Sequence, residues 1–371
     1  VLVKIIFVFI FVKILNKMRK ICEIIMLFVL VSCNNVEKKS KPNLRAPFTG
    51  VEIDTLFADS MSVRAITLEK DKVWYATDKG TYGYCKFDKS KNYIGQITLD
   101  SVNPHFRGIA KNSSSIFLIS TEKPAVIYQI SKNDNLVTKV FEDKHPNAFY
   151  NGIQFWNDYE GIAMGDPQNG CLSVLITRDS GQTWIKIPCS DLPKIESGEA
   201  GFAASNSSLV VKGDNTWIVT GGTKARVFFS KDRGKTWSVH ETPMNQGKPM
   251  AGIFTADFYN DTIGIIAGGD YENQDENSKN KALTINSGQT WALISDGEGF
   301  GYTSCIQFVP ESGGLLTVSV GPQGIYFSDD SGNFWKKISD EKDLHTIRFI
   351  NERNAIAAGK NKIVKIKFTS N

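Results

Sequence analysis

The chain has 371 residues, with 43 Lys and Arg against 39 Asp and Glu for a formal net charge of +4, and 41% of its residues are hydrophobic. That length is ample for a large buried core. The surplus charge lies at the start: residues 1–32 hold five basic residues and one acidic, so the remainder is formally neutral. A balanced body without a basic stripe argues against nucleic acid as a partner, because phosphate binding needs clustered Lys and Arg.

Residues 1–17, VLVKIIFVFIFVKILNK, precede Met18 and read as an over-extended start. From Met18, a basic head (Arg19, Lys20) and a short apolar run to Leu30 make residues 18–32 a signal peptide. Leu30-Val31-Ser32-Cys33 resembles the bacterial lipobox, which implies that Cys33 is lipidated and becomes the mature N-terminus. The run is short for a membrane span. An uncleaved anchor over residues 1–31 is the alternative, interrupted by Lys13, Lys17, Arg19, Lys20 and Glu23. Both readings place the protein in the cell envelope, held at a membrane and facing an extracytoplasmic space, either the bacterial periplasm or the outer surface. Residues 33–50 are polar, contain two prolines and read as a flexible tether.

From Val51 onward, short runs of β-branched and aromatic residues are broken by Gly, Asn, Asp and Pro, an all-β pattern. One inner-strand string recurs as SVRAITL at Ser62, HFRGIAK at His105, FYNGIQF at Phe149, AGFAASN at Ala200, MAGIFTA at Met250, YTSCIQF at Tyr302 and LHTIRFI at Leu344. A Gly- or Ala-rich apolar strand follows each, as suits close approach near an axis. Third and fourth strands complete every unit but the last, whose KIVKIKF strand can pair with VEIDTLF, Val51–Phe57, removing an exposed edge. The expectation over residues 51–371 is a monomeric, seven-bladed β-propeller of four-stranded antiparallel blades, the last closed by the N-terminal strand.

A second repeat marks hairpins: TRDSGQTW (Thr177–Trp184), SKDRGKTW (Ser230–Trp237), TINSGQTW (Thr284–Trp291) and SDDSGNFW (Ser328–Trp335). Asp179, Asp232, Asn286 and Asp330 are placed to accept hydrogen bonds from turn N–H groups, and Gly181, Gly234, Gly288 and Gly332 to supply positive φ. Trp184, Trp237, Trp291 and Trp335 restart a strand and call for burial between blades. Spacings of 53, 54 and 44 residues fit stacked four-stranded sheets. The pattern resembles the Asp-box, or bacterial neuraminidase repeat, of sialidases, sortilin-like receptors and the photosystem II assembly and stability factor family. That resemblance implies a propeller whose boxes lie away from the ligand face and, for the assembly-factor type, a binding scaffold rather than an enzyme.

On such a face the candidate ligand-binding residues are Arg64, His105, Arg107, Asn151, Arg226 and Tyr271. Arg64 and Arg107 stand at equivalent places before an inner-strand Ile, so two adjacent cations are expected to attract an anion or acidic peptide. The bland alternative pairs each with a carboxylate or carbonyl of a neighbouring blade. Asp166, Glu199 and Asp270 are the weak catalytic candidates, since a hydrolase or lyase of sialidase-like fold needs two carboxylates, or a Tyr with a Glu, to converge. The chain departs from sialidases: Phe106-Arg107-Gly108-Ile109 lacks the Pro of their Phe/Tyr-Arg-Ile-Pro motif and recurs as Val63-Arg64-Ala65-Ile66. No GxGxxG follows a strand and no Cys/His spacing suggests zinc, so neither cofactor nor metal is expected. Cys171 and Cys189 stand nine residues either side of Ser180, placed either to bridge or to remain two buried thiols. The resulting reading is a membrane-tethered, non-enzymatic scaffold for a protein, peptide or anionic glycan, with the glycan-active enzyme as the alternative.

Overall fold

The computed structural model describes residues 47–121 and 123–370. The signal peptide, the lipobox with Cys33 and most of the tether lie outside the described residues. The described chain is all-β apart from a single 3-10 turn at Cys189–Asp191, and its strands are antiparallel meanders arranged as a propeller. Inner strands of successive sheets touch side by side in a closed ring, from Gly50–Glu69 through Phe106–Lys111, Tyr150–Phe155, Leu209–Lys212, Ala251–Phe258, Cys305–Phe308 and Leu344–Asn351 back to the first.

The expected count of seven separate blades is corrected to six. Hydrogen bonding gathers the strands into six sheets, because Gly50–Glu69 is one uninterrupted strand of 20 residues. Its first half pairs with Asn354–Thr369, from Gly50 opposite Thr369 to Phe57 opposite Ile363, and its second half pairs with Lys72–Thr77. The first and last expected blades therefore share one six-stranded sheet. The physical reason is local: Ala58-Asp59-Ser60-Met61 contains neither Gly nor Pro, and the chain passes from one pairing to the next through register shifts instead of a turn.

A second correction concerns AGFAASN. Only Glu199–Ala200 is extended there, paired with Gly221–Gly222, and residues 201–208 form no strand. They run through the axis as a buried plug tied to surrounding inner strands. Asn206 Oδ1 accepts the Ile153 N–H at 2.9 Å while its Nδ2 donates to Ile109 O at 2.9 Å. Ser207 Oγ and Thr255 Oγ1 share a hydrogen bond at 2.7 Å. Gly108 makes room for this: a Cβ there would lie 2.5 Å from Ile119 Cγ2 and 3.1 Å from Asn206 Oδ1.

The four hairpin repeats share one hydrogen-bond pattern. In the first, the Gly181 N–H donates to Thr177 Oγ1 at 2.9 Å, and Asp179 accepts the Thr183 N–H at 3.0 Å and the Thr183 hydroxyl at 2.6 Å. In the third, Asn286 keeps the acceptor role toward the Thr290 N–H, and its amide donates to Thr290 Oγ1 instead. Positive φ extends to the residue before each Gly, namely Ser180, Arg233, Ser287 and Ser331. Trp184 packs on Phe117 and Phe155 and Trp335 on Phe300, each between its own sheet and the preceding one. These two are buried, whereas Trp237 and Trp291 are only half-buried, short of the burial expected for all four.

Candidate functional site

Inner strands enter the core from one face, and at that end of the axis lies a cavity of about 380 Å³. Arg64 and Arg107 reach it from adjacent inner strands, and Phe202, Phe254, Tyr271 and Tyr302 form its aromatic wall. Phe202 stacks on Phe254 with centroids 3.9 Å apart, and Tyr302 meets both Phe254 and Tyr271 edge to face.

The arginines are aimed by backbone irregularity. The inner-strand ladders skip one residue between Val63 and Ala65 and another between Phe106 and Gly108, so Arg64 and Arg107 are each the extra residue of a β-bulge. Asn151, Phe254 and His345 are skipped in the same way on their own strands. A bulge re-aims the side chain it carries. Here it turns a ring of equivalent residues toward the axis.

Arg107 donates from Nε to His105 Nε2 at 2.8 Å and from Nη1 to Ala203 O at 2.9 Å, and Arg64 donates to Ala204 O at 3.4 Å. Carbonyls of the plug, instead of a carboxylate or carbonyl of a neighbouring blade, thus fix both side chains, but a carbonyl or an imidazole cancels no charge. Among the described residues no carboxylate forms an ion pair with either arginine. Burial and the neighbouring Arg64 pull Arg107 down to about 10, so it remains charged at neutral pH. Burial, Arg64 and Arg107 drive His345 down to about 3, so its imidazole adds no third charge. The cavity presents two charged, partly desolvated guanidinium groups with N–H donors to spare, beside an apolar aromatic wall.

The carboxylates separate. Asp166 lines the cavity, accepts from Asn151 Nδ2 at 2.7 Å and is pushed up to about 6 by burial. Glu199 lies fully buried in a pair with Arg226, whose Nε donates to both carboxylate oxygens at 3.0 and 3.1 Å, so neither residue lines the cavity. Asp270 is held by Lys248 Nζ at 2.7 Å and by the Glu272 N–H, in a structural ion pair. Asp166 is the one carboxylate among the described lining residues. Burial pushes the Tyr302 phenol up to about 12, and no Glu lines the cavity beside it. His105 orients Arg107, and Tyr271 stands at the wall with its ring part-exposed. The plug residues that anchor both arginines, Ala203 and Ala204, went unrecognised as site residues; their one sequence signal is a run of small residues where other inner strings carry Arg or Ile. Away from the axis, Cys171 and Cys189 form a disulfide with Cα atoms 5.5 Å apart.

Fold and cavity together define an all-β propeller with a cationic, aromatic axial site. Neither protein-family models nor curated proteins yield a match to this chain. Among solved structures the chain is similar to YCF48 bound to D1 peptide, with a TM-score of 0.62 at 12% identity over 89% of this chain and 100% of that one. It is also similar to YCF48 from Cyanidioschyzon merolae, with a TM-score of 0.61 at 13% identity over 86% of this chain and 98% of that one. A third likeness, to the GH74 xyloglucanase from Xanthomonas campestris, has a TM-score of 0.61 at 11% identity over 84% of this chain and 53% of that one. At these identities the likeness is one of fold.

Proposed function

We propose that this propeller is a non-enzymatic binding scaffold that captures an acidic segment of a protein or peptide in the axial cavity. The observation that carries the reading is the pair Arg64 and Arg107, charged, anchored only by neutral groups and set against an aromatic wall. A carboxylate flanked by an apolar side chain satisfies both halves of that surface. The single lining carboxylate, Asp166, leaves no acid pair for glycoside hydrolysis. The similar fold of YCF48 bound to D1 peptide supports a propeller of this shape holding a peptide. The four hairpin repeats fit an Asp-box propeller, and the lipobox fits a lipid-anchored protein of the bacterial cell envelope, tethered through Cys33 by residues 33–50.

Fluorescence anisotropy with labelled peptides ending in a free or an amidated acidic C-terminus tests the site. The free-carboxylate peptide should bind, and Arg64→Ala/Arg107→Ala should weaken it at least about tenfold, the equivalent of about 1.4 kcal/mol. Equal binding by wild type and double variant removes this face from the reading. Binding of a sulfated glycan but of no peptide replaces the ligand class.

A further inference from the structure

At the other end of the axis, beyond the plug, the inner strands build a second cavity of about 630 Å³. Five of its polar lining residues come from one sequence position repeated around the ring: Thr67 after Ile66, Gln154 after Ile153, Asp257 after Ala256, Gln307 after Ile306 and Arg348 after Ile347. Asn206 of the plug also lines it.

The groups differ in what they have left to offer. Arg348 is committed to Ile347 O at 2.7 Å, Thr346 Oγ1 at 3.1 Å and Ser205 O at 3.1 Å. Lys212 Nζ is committed to Phe258 O at 2.6 Å and Tyr259 O at 2.7 Å. These two cations face two lining carboxylates, Asp257 and Glu311, so the cavity is charge-balanced. Asp257 receives one N–H on each oxygen, from Phe258 at 3.0 Å and Phe308 at 2.7 Å, forms no ion pair among the described residues and keeps lone pairs toward the cavity. The carboxamides of Gln154 and Gln307 have no hydrogen-bond partner among the described residues. What remains open is therefore two primary amides, each a donor and an acceptor, beside the Thr67 hydroxyl and the two acceptor carboxylates of Asp257 and Glu311. Half-buried Tyr259 and Phe349 add aromatic surface to the same lining.

A mixed, charge-balanced set of donors and acceptors does not select an anion or a cation. It matches groups that donate and accept at once, as the hydroxyls of a sugar do, while the aromatic surface suits the C–H face of a pyranose. The volume lies within the range of small-molecule sites. We propose that this cavity is a second binding site, for a neutral mono- or disaccharide unit, with Gln154, Gln307 and Asp257 as its hydrogen-bonding residues.

Saturation-transfer NMR on the full chain with D-glucose, D-galactose, N-acetyl-D-glucosamine and cellobiose tests this. At least one probe should bind with Kd of ~1 mM or tighter. Gln154→Ala/Gln307→Ala should weaken that probe at least about tenfold, and Arg64→Ala/Arg107→Ala should leave it unchanged. Because neither carboxamide bonds to the protein, the glutamine variant should keep the wild-type melting temperature; Thr67→Trp, which fills the cavity, provides an independent block. No transfer from any of the four probes overturns the proposal. So does binding that survives both the glutamine variant and Thr67→Trp.

Discussion

Replacing Glu199 by Ala should destabilise the propeller far more than it alters binding. The Glu199 side chain is fully buried and that of Arg226 is 7% exposed. Beyond the two Arg226 Nε contacts, Glu199 accepts Thr220 Oγ1 at 2.6 Å and the Glu196 N–H at 3.0 Å. Truncation strands a buried guanidinium with only Lys194 O, at 3.0 Å, to receive it. Removing one partner of a buried pair costs about 3–5 kcal/mol, mostly the penalty for the charge left behind. For a domain of this size that corresponds to a drop in Tm of about 4–7 °C. Glu199→Leu/Arg226→Met, which removes both charges, should recover much of the loss. Urea unfolding of wild type, single and double variants measures the three terms. A Glu199→Ala cost below about 1 kcal/mol, or a double variant no better than the single, refutes the assignment of this pair to the framework.

Asn206→Ala should cost about 2–4 kcal/mol in urea unfolding, because it orphans the Ile153 N–H and strips donors from two carbonyls; a loss under about 0.5 kcal/mol would show that the plug is not structural. Asp166 binds its proton more tightly folded than unfolded, since burial raises it to about 6 from an ordinary 3.8. The stability from that proton is fully present below about 4 and lost as pH rises through 6, so Asp166→Asn should gain at most about 3 kcal/mol at pH 7 and flatten the profile between pH 4 and 6. Equal slopes in both proteins would count against burial as the cause. Reducing the Cys171–Cys189 bridge, which spans a sequence separation of 18, should cost about 3 kcal/mol by loop entropy; unchanged melting in reductant would contradict this.

Much of the fold is written in the chain at short range. The hairpin repeats carry their own hydrogen-bond partners within four residues, so their place and geometry follow from sequence alone. The blade count depended on a negative, the lack of any breaker between Phe57 and Val63, and strand period does not reveal which of two neighbours a long strand will leave or join. Long-range ties were equally hidden. Glu199 and Arg226 lie 27 residues apart in segments that each read from sequence as solvent-facing loops, and only tertiary contact shows that they neutralise each other. AGFAASN has the small-residue texture of an inner strand because the axis is crowded, and a plug meets the same steric demand as a strand.

The arginine site was legible for a reason that regular strand geometry cannot supply. Arg64 and Ile66 are two residues apart, so in an unbroken strand both would face the same way, into the packing between sheets where Ile66 is buried. The extra residue at Arg64 breaks that phase and turns the guanidinium to the axis, while Thr67, past the bulge, reaches the axis at the far end by ordinary alternation. Repetition of the bulge in inner strands around the ring gives each of them two axial positions of different character. The position two before the Ile carries Arg64, Arg107 and His345, and the position after it carries Thr67, Gln154, Gln307 and Arg348. Two chemically distinct cavities separated by a plug follow from a single irregularity repeated in the inner strands, and a substitution at either position changes one end of the axis without disturbing the hydrogen-bonded ladder between them.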